Sequence, residues 1–194
     1  FIPVITVAIN HHLTMVGHFG KLKYSPTLRF VVFGAMCYTA VSFQGSIQAL
    51  RSFNEISHFT HYTVGHAHLG VYAFVTMTLF GAIYYIMPRL VRWEWPYPVL
   101  IKFHFWFVAI GIVLYVVSMT VGGVLQGLYM NDASRPFADS MNVTKPYLLA
   151  RSIAGVLILI GHLFFIYLFS LMIMRKGTLR LTPPWREETE VTTR

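Results

Sequence analysis

"HYTVGHAHLGVYAF", residues 61–74, opens a long apolar run with two histidines two positions apart, His66 and His68. Residues two apart on a helix point about 200° from each other, whereas neighbours on one face are three or four apart. The two imidazoles therefore cannot share one metal ion. They can ligate two separate centres on opposite sides of one helix, provided each centre is flat enough to fit between helices.

The rest of the chain sets that helix in lipid. Of 194 residues, 56% are hydrophobic and only 11% charged, too little polar surface to cover a fold in water. The single cysteine, Cys37, lies inside an apolar run, so neither a disulfide framework nor a cysteine metal site is available. Five stretches approach or exceed the roughly 20 residues a bilayer core requires: 1–18, 29–50, 60–87, 99–128 and 146–174. Backbone polar groups in lipid must be satisfied internally, so these read as helices. The fold class is all-α, a polytopic transmembrane bundle of about five helices. Residues 1–176 form the membrane domain, and 177–194, "GTLRLTPPWREETEVTTR", a cytoplasmic tail. Phe1, with no initiator methionine and no signal-peptide pattern, reads as the later part of a longer chain or assembly.

Charge orients the helices. Lys21, Lys23, Arg29, Arg89, Arg92, Lys102, Arg175, Lys176, Arg180, Arg186 and Arg194 fall on one side, eleven of the fifteen Lys and Arg. Arg51, Arg135, Lys145 and Arg151 fall on the other. The richer side faces the cytoplasm. The helix with His66 and His68 then descends from the outer face, its histidines about 10 Å deep. This distribution accounts for the net charge of +8 without a nucleic-acid partner.

Haem is flat, takes histidine as an axial ligand and fits the opposed pair. Gly65, Ala67 and Gly70 are expected to let a macrocycle approach the backbone. The competing reading, two intramembrane histidines bonding only to neighbouring helices, has to be weighed against the surrounding motif.

That motif carries a resemblance. "SFQGSIQALRSFNEISHFTHYTVGHAHLGVYAF", residues 42–74, with "YYIMPRL" at 84–90, "VSMTVGGVLQGL" at 117–128 and "KPYLLARSIAGVLILIG" at 145–161, resembles the catalytic subunit I of haem-copper oxidases, most closely the cbb3-type cytochrome c oxidase. The nitric oxide reductase large subunit is a relative. The resemblance implies the last five helices of a twelve-helix subunit and two haems. His66 would be the axial ligand of the high-spin, b3-like haem and His68 one axial ligand of the low-spin b-type haem. It also implies that the copper (or non-haem iron) ligands, the other low-spin ligand and the active-site tyrosine lie in a missing N-terminal half.

The function it implies is reduction of O2 to water with electrons from cytochrome c, as a cytochrome c-type subunit or a soluble protein, coupled to proton uptake or pumping. Reduction of NO to N2O is the alternative, and a non-catalytic membrane haem protein the second. The setting is a bacterial or archaeal-type inner membrane. His58 and Arg51 are candidates for contacts to haem propionates, and Gln44 and His61 for the surroundings of the ligands. Three positions depart from the cbb3-type pattern: Gln44 stands where glutamate is usual, His61 where aspartate is usual and Tyr62 where tryptophan is usual.

Other residues take plainer readings. The adjacent His11 and His12 invite assignment as copper ligands, but they fall in the inner half, one helix too close to the paired histidines; they read as polar residues near a helix end. His104 and His162 suit interhelical hydrogen bonding. Thr144-Lys145-Pro146 reads as a helix start, Arg151 as a helix-end anchor, and Trp93 and Trp95 as an interfacial belt.

Overall fold

The computed structural model describes residues 2–179. Seven α-helices follow in order: α1 Ile2–Met15, α2 Pro26–Gln48, α3 Arg51–Ser57, α4 His61–His68, α5 Met77–Val91, α6 Pro98–Met130 and α7 Phe137–Ile173. A 3₁₀ turn, Phe19–Lys23, leads into α2, and a π-helical stretch, Leu69–Thr76, joins α4 to α5. No strand forms among the described residues; the one isolated bridge pairs Trp93 with Leu179.

Four segments are long and apolar enough to cross a membrane: Pro26–Gln48, His61–Val91, Pro98–Met130 and Phe137–Ile173. Of the described residues of the expected first span, Ile2–Met15 are helical, about 21 Å of helix. Along α7, Leu149, Ile153, Val156, Leu163 and Ile166 are each more than half exposed. A row of that kind suits lipid or neighbouring helices.

Local chemistry starts and stops the helices. Ser25 caps α2 by accepting the Leu28 N–H at 3.2 Å, with Pro26 as the first helical residue. Thr60 caps α4 from the Tyr62 N–H at 3.3 Å, and Phe59, at φ 60°, turns the chain sharply between α3 and α4. Leu69–Thr76 is π-helical, the kind of inserted turn that recurs at functional sites.

Helix α7 corrects two expectations. It begins at Phe137, so Pro146 is inside it and Arg151 lies well along it, not at its end. The Ser140 and Thr144 hydroxyls bond back to the Phe137 and Met141 carbonyls at 2.6 and 2.7 Å, occupying the turns just before the proline.

Helices α6 and α7 form an antiparallel pair seated on glycine. A Cβ at Gly111 would come 3.0 Å from the Ala154 carbonyl, and one at Gly122 would come 2.7 Å from Tyr147. The main core sets Phe30 of α2 and Met77 and Tyr84 of α5 against Phe105, Val108 and Leu168. Trp95 joins this core, its indole N–H donating to the Tyr84 carbonyl at 2.9 Å, so it is not part of an outward-facing belt. His104 and His162 make the expected interhelical bonds, with the Tyr84 hydroxyl at 2.8 Å and the Tyr72 hydroxyl at 2.7 Å. The beginning of the tail pairs with the α5–α6 connection, the Glu94 N–H donating to the Thr178 carbonyl at 2.9 Å. The remainder of the tail lies outside the described residues.

Candidate haem-ligand site

The depth of α4 against α6 is set by glycines. A Cβ at Gly123 would overlap the backbone of Tyr62, and one at Gly127 would overlap the Ile56 carbonyl oxygen. Gly65 closes the same seam from the other side, where a Cβ would lie 3.0 Å from Met119 and 3.4 Å from Thr120. Gly70 faces Val41 of α2 at 3.5 Å. Gly65 therefore packs helix on helix against α6, while Gly70 meets only the Val41 side chain at ordinary contact distance. Ala67 is exposed.

The start of α4 is pinned from a distance. Gln126 Oε1 accepts both the His61 backbone N–H at 3.0 Å and the His61 Nδ1–H at 2.6 Å, so one buried amide holds the first helical turn and orients its first side chain. The Gln48 amide donates to Thr63 Oγ1 at 3.0 Å, tying α4 to the end of α2.

His66 faces α2. Its ring lies over Gly45, where a Cβ would stand 3.0 Å from Cε1, so a larger residue there would move the imidazole. Its Nδ1 is 3.4 Å from Gln44 Oε1, and the Gln44 amide donates onward to Thr120 Oγ1 at 3.1 Å. An amide oxygen can only accept, so Nδ1 carries the proton and Nε2 is the nitrogen with a free lone pair.

His68 reaches the same tautomer by another route. Its Nδ1–H donates to the Val64 carbonyl of its own helix at 2.8 Å. Its ring lies 4.5 Å from that of Tyr115 at 32°, with the Tyr115 hydroxyl 3.3 Å from Nε2, and Arg151 of α7 is an electrostatic neighbour of that tyrosine. Each histidine thus has Nδ1 beside an oxygen acceptor, with the His66 ring over Gly45 of α2 and His68 Nε2 facing the Tyr115 hydroxyl of α6. The donor set fits two haem irons on opposite faces of one helix.

The remaining candidates are not all gathered at this point. Arg51 and His58 are exposed at the α3–α4 end of the bundle, His58 with its ring 3.9 Å from that of Phe59. His11 and His12 stand apart on α1, His12 bonded to the Ala8 carbonyl at 2.8 Å and His11 edge-on to Tyr38 at 5.7 Å. Among the described residues, no group of three or more His, Cys, Asp or Glu side chains is arranged to hold a metal ion. Thr120, Tyr115 and Gln126 were not singled out from sequence; each lies on α6, 47 to 76 positions from its partner.

Residues 1–157 match the family described as cytochrome c and quinol oxidase polypeptide I. The chain is 36% identical over 166 residues to the cbb3-type cytochrome c oxidase subunit CcoN1 of Stutzerimonas stutzeri, covering 82% of this chain and 35% of that protein. It is 34% identical to cytochrome c oxidase subunit 1 of Rhodobacter capsulatus, covering 82% and 31%. The chain thus spans about a third of the length of the curated relatives it matches. Its fold matches a haem-copper terminal oxidase dimer solved by cryo-EM with a TM-score of 0.65 at 21% identity, over 92% of this chain and 33% of that one. The chain belongs to the haem-copper oxidase subunit I family.

Proposed function

We propose that this chain is the haem-holding C-terminal part of the catalytic subunit of a terminal respiratory oxidase. The assembly reduces O2 to water with electrons from cytochrome c, coupled to proton uptake or pumping. The observation that carries the reading is the pair of histidines facing different sides of α4, His66 toward Gly45 of α2 and His68 toward Tyr115 of α6, each with Nδ1 beside an oxygen acceptor.

His66 would hold the high-spin haem and His68 the low-spin haem; when bound, the two irons supply the electron-transfer and dioxygen chemistry. This chain contributes ligation and the fixed spacing of one helix between them. The bond from His66 Nδ1 to Gln44 sets the basicity of one ligand, and the bond from His68 Nδ1 to Val64 sets that of the other. Gln126 holds His61 and the helix start, fixing how deep both ligands sit. Arg51 and His58, exposed at that end, are suited to donate charge-assisted hydrogen bonds to carboxylates such as haem propionates.

The second axial ligand of the low-spin haem and the ligands of copper belong to the remaining N-terminal part of the subunit, and cytochrome c delivers electrons at the outer side. The orientation follows the basic residues, with the C-terminal side in the cytoplasm of a bacterial or archaeal-type cell.

The test is single replacement in the intact assembly. His68→Ala should remove the low-spin haem signal and halve the haem content, while His66→Ala should remove the high-spin signal. Retention of both haems in both variants would refute the reading. A second reading, reduction of NO to N2O, draws on the neutral amide of Gln44 beside His66 in place of the glutamate usual in the cbb3-type pattern. Copper in the catalytic subunit favours the oxygen reductase, and non-haem iron without copper favours the NO reductase.

A further inference from the structure

A groove runs along the outside of the bundle between α2 and α6. It has two parts, about 440 and 560 Å³, that share Phe33, Phe105 and Trp106 as walls. The inner part opens at Lys23 and Arg29; the outer part is almost wholly apolar and continues past Ala109 and Val113 to Val117. From Phe105 to Val117 along α6 is about 18 Å, close to the roughly 15 Å hydrocarbon depth of one leaflet. Trp106, Val113 and Val117 are each at least half exposed, so the groove is open along its length in this chain.

Its mouth is built for an anion. The first 54 residues contain no Asp or Glu, and Lys23 and Arg29 both line the mouth. Arg29 donates from Nε to the Leu22 carbonyl at 2.6 Å and from Nη2 to the Lys23 carbonyl at 2.7 Å, which fixes the guanidinium at the mouth. Among the described residues, no carboxylate pairs with Lys23 or Arg29.

We propose that this groove binds an anionic phospholipid, with its phosphate at Lys23 and Arg29 and one acyl chain along Phe33, Trp106, Val113 and Val117. The apolar wall follows α6 for about the depth of one leaflet and meets Lys23 and Arg29 at one end, the order of parts in a phospholipid: an acyl chain ending in a charged headgroup. The charge favours an anionic headgroup, since basic pockets between transmembrane helices at the positive end attract acidic lipid.

The experiment uses the intact assembly in nanodiscs of equal phosphatidylglycerol and phosphatidylcholine, with retained lipids counted by native mass spectrometry. The parent should keep phosphatidylglycerol in preference to phosphatidylcholine. Lys23→Gln with Arg29→Gln should weaken that preference about thirtyfold, from two surface cations removed. Lys23→Gln alone, on an exposed side chain, should show the smaller loss if the double variant fails to assemble. Val113→Trp fills the groove but leaves both cations, and should lose the lipid too, with haem content unchanged. Equal retention of both lipids by the parent, an unchanged phosphatidylglycerol count in every variant, or a cross-link from Val117→Cys to a protein helix seated in the groove would overturn the proposal.

Discussion

Gly123→Ala tests whether the depth of α4 in the bundle controls the haem ligands. The added methyl group would overlap the backbone nitrogen and Cα of Tyr62 and the carbonyl carbon of His61. These are main-chain atoms, so no rotamer change relieves the overlap; α4 must move away from α6, or the two helices must separate. Overpacking of this kind costs about 1–3 kcal/mol. The substitution also gains about 1 kcal/mol of helix propensity, which would mask part of the cost. Gly155→Ala supplies the control: it is equally helical, on α7, and a Cβ there meets nothing within 4 Å. The propensity gain cancels between the two variants, leaving a difference of about 1–3 kcal/mol, or on the order of ten- to a hundredfold in the equilibrium between correctly and incorrectly seated helix. Movement at Tyr62 is transmitted along one helix to His66 and His68, and it pulls His61 from Gln126. The assay is haem per assembly, with low-spin and high-spin contributions separated spectroscopically, beside thermal unfolding of the same preparations. Gly123→Ala should lose haem and unfold earlier, and Gly155→Ala should match or exceed the parent. Equal haem content and equal stability in the two variants would refute the reasoning.

Further outcomes follow from the same contacts. Gln44→Glu replaces an amide acceptor beside His66 Nδ1 with a carboxylate; a charge-assisted bond stronger by about 1 kcal/mol should lower the high-spin haem midpoint by about 40 mV at alkaline pH, measured by redox titration, and an unchanged potential would show that the pair does not couple. Tyr115→Phe keeps the ring against His68 but removes the hydroxyl near Nε2, so it should leave haem stoichiometry intact, whereas Tyr115→Ala, which also removes the ring, should lower low-spin haem retention. In the α6–α7 loop, hydrogen bonds from the Ser134 hydroxyl and N–H, and then from Arg135, hold the Asp132 carboxyl below the usual carboxylate range. Because the folded-state value is depressed, this loop's contribution to stability is present above the ordinary aspartate range and is lost as pH falls through the lower folded-state value. Amide exchange at Ser134, corrected for intrinsic pH dependence, should stay slow through pH 4 and quicken only below it; quickening already at pH 5 would contradict this.

What could be read from the chain and what could not divide along physical lines. Helical repeat alone places His66 and His68 on opposite faces, because the angle between them depends only on their being two residues apart. Apolar run length identifies the four long spans for a similarly local reason. The Pro146 boundary fails because a proline at a helix start and one inside a lipid-embedded helix share the same neighbours in sequence; what differs is that Ser140 and Thr144 bond back to carbonyls of the turns before it. The surroundings of the histidines are harder still. Thr120 behind Gln44, Tyr115 against His68 and Gln126 under His61 all come from α6, and which rung of α6 meets which rung of α4 depends on how closely the two backbones approach. That approach is set by Gly65, Gly123 and Gly127, whose missing Cβ atoms permit contact without specifying the partner. In sequence Gly65, like Gly70, reads as room for a cofactor. In the fold, Gly65, Gly123 and Gly127 bring α3 and α4 against α6, Gly70 faces α2, and Gly45 alone lies directly under a ligand ring. The glycine packed most directly against the proposed ligand His66 is therefore on α2, 21 positions away, and only tertiary packing brings the two together.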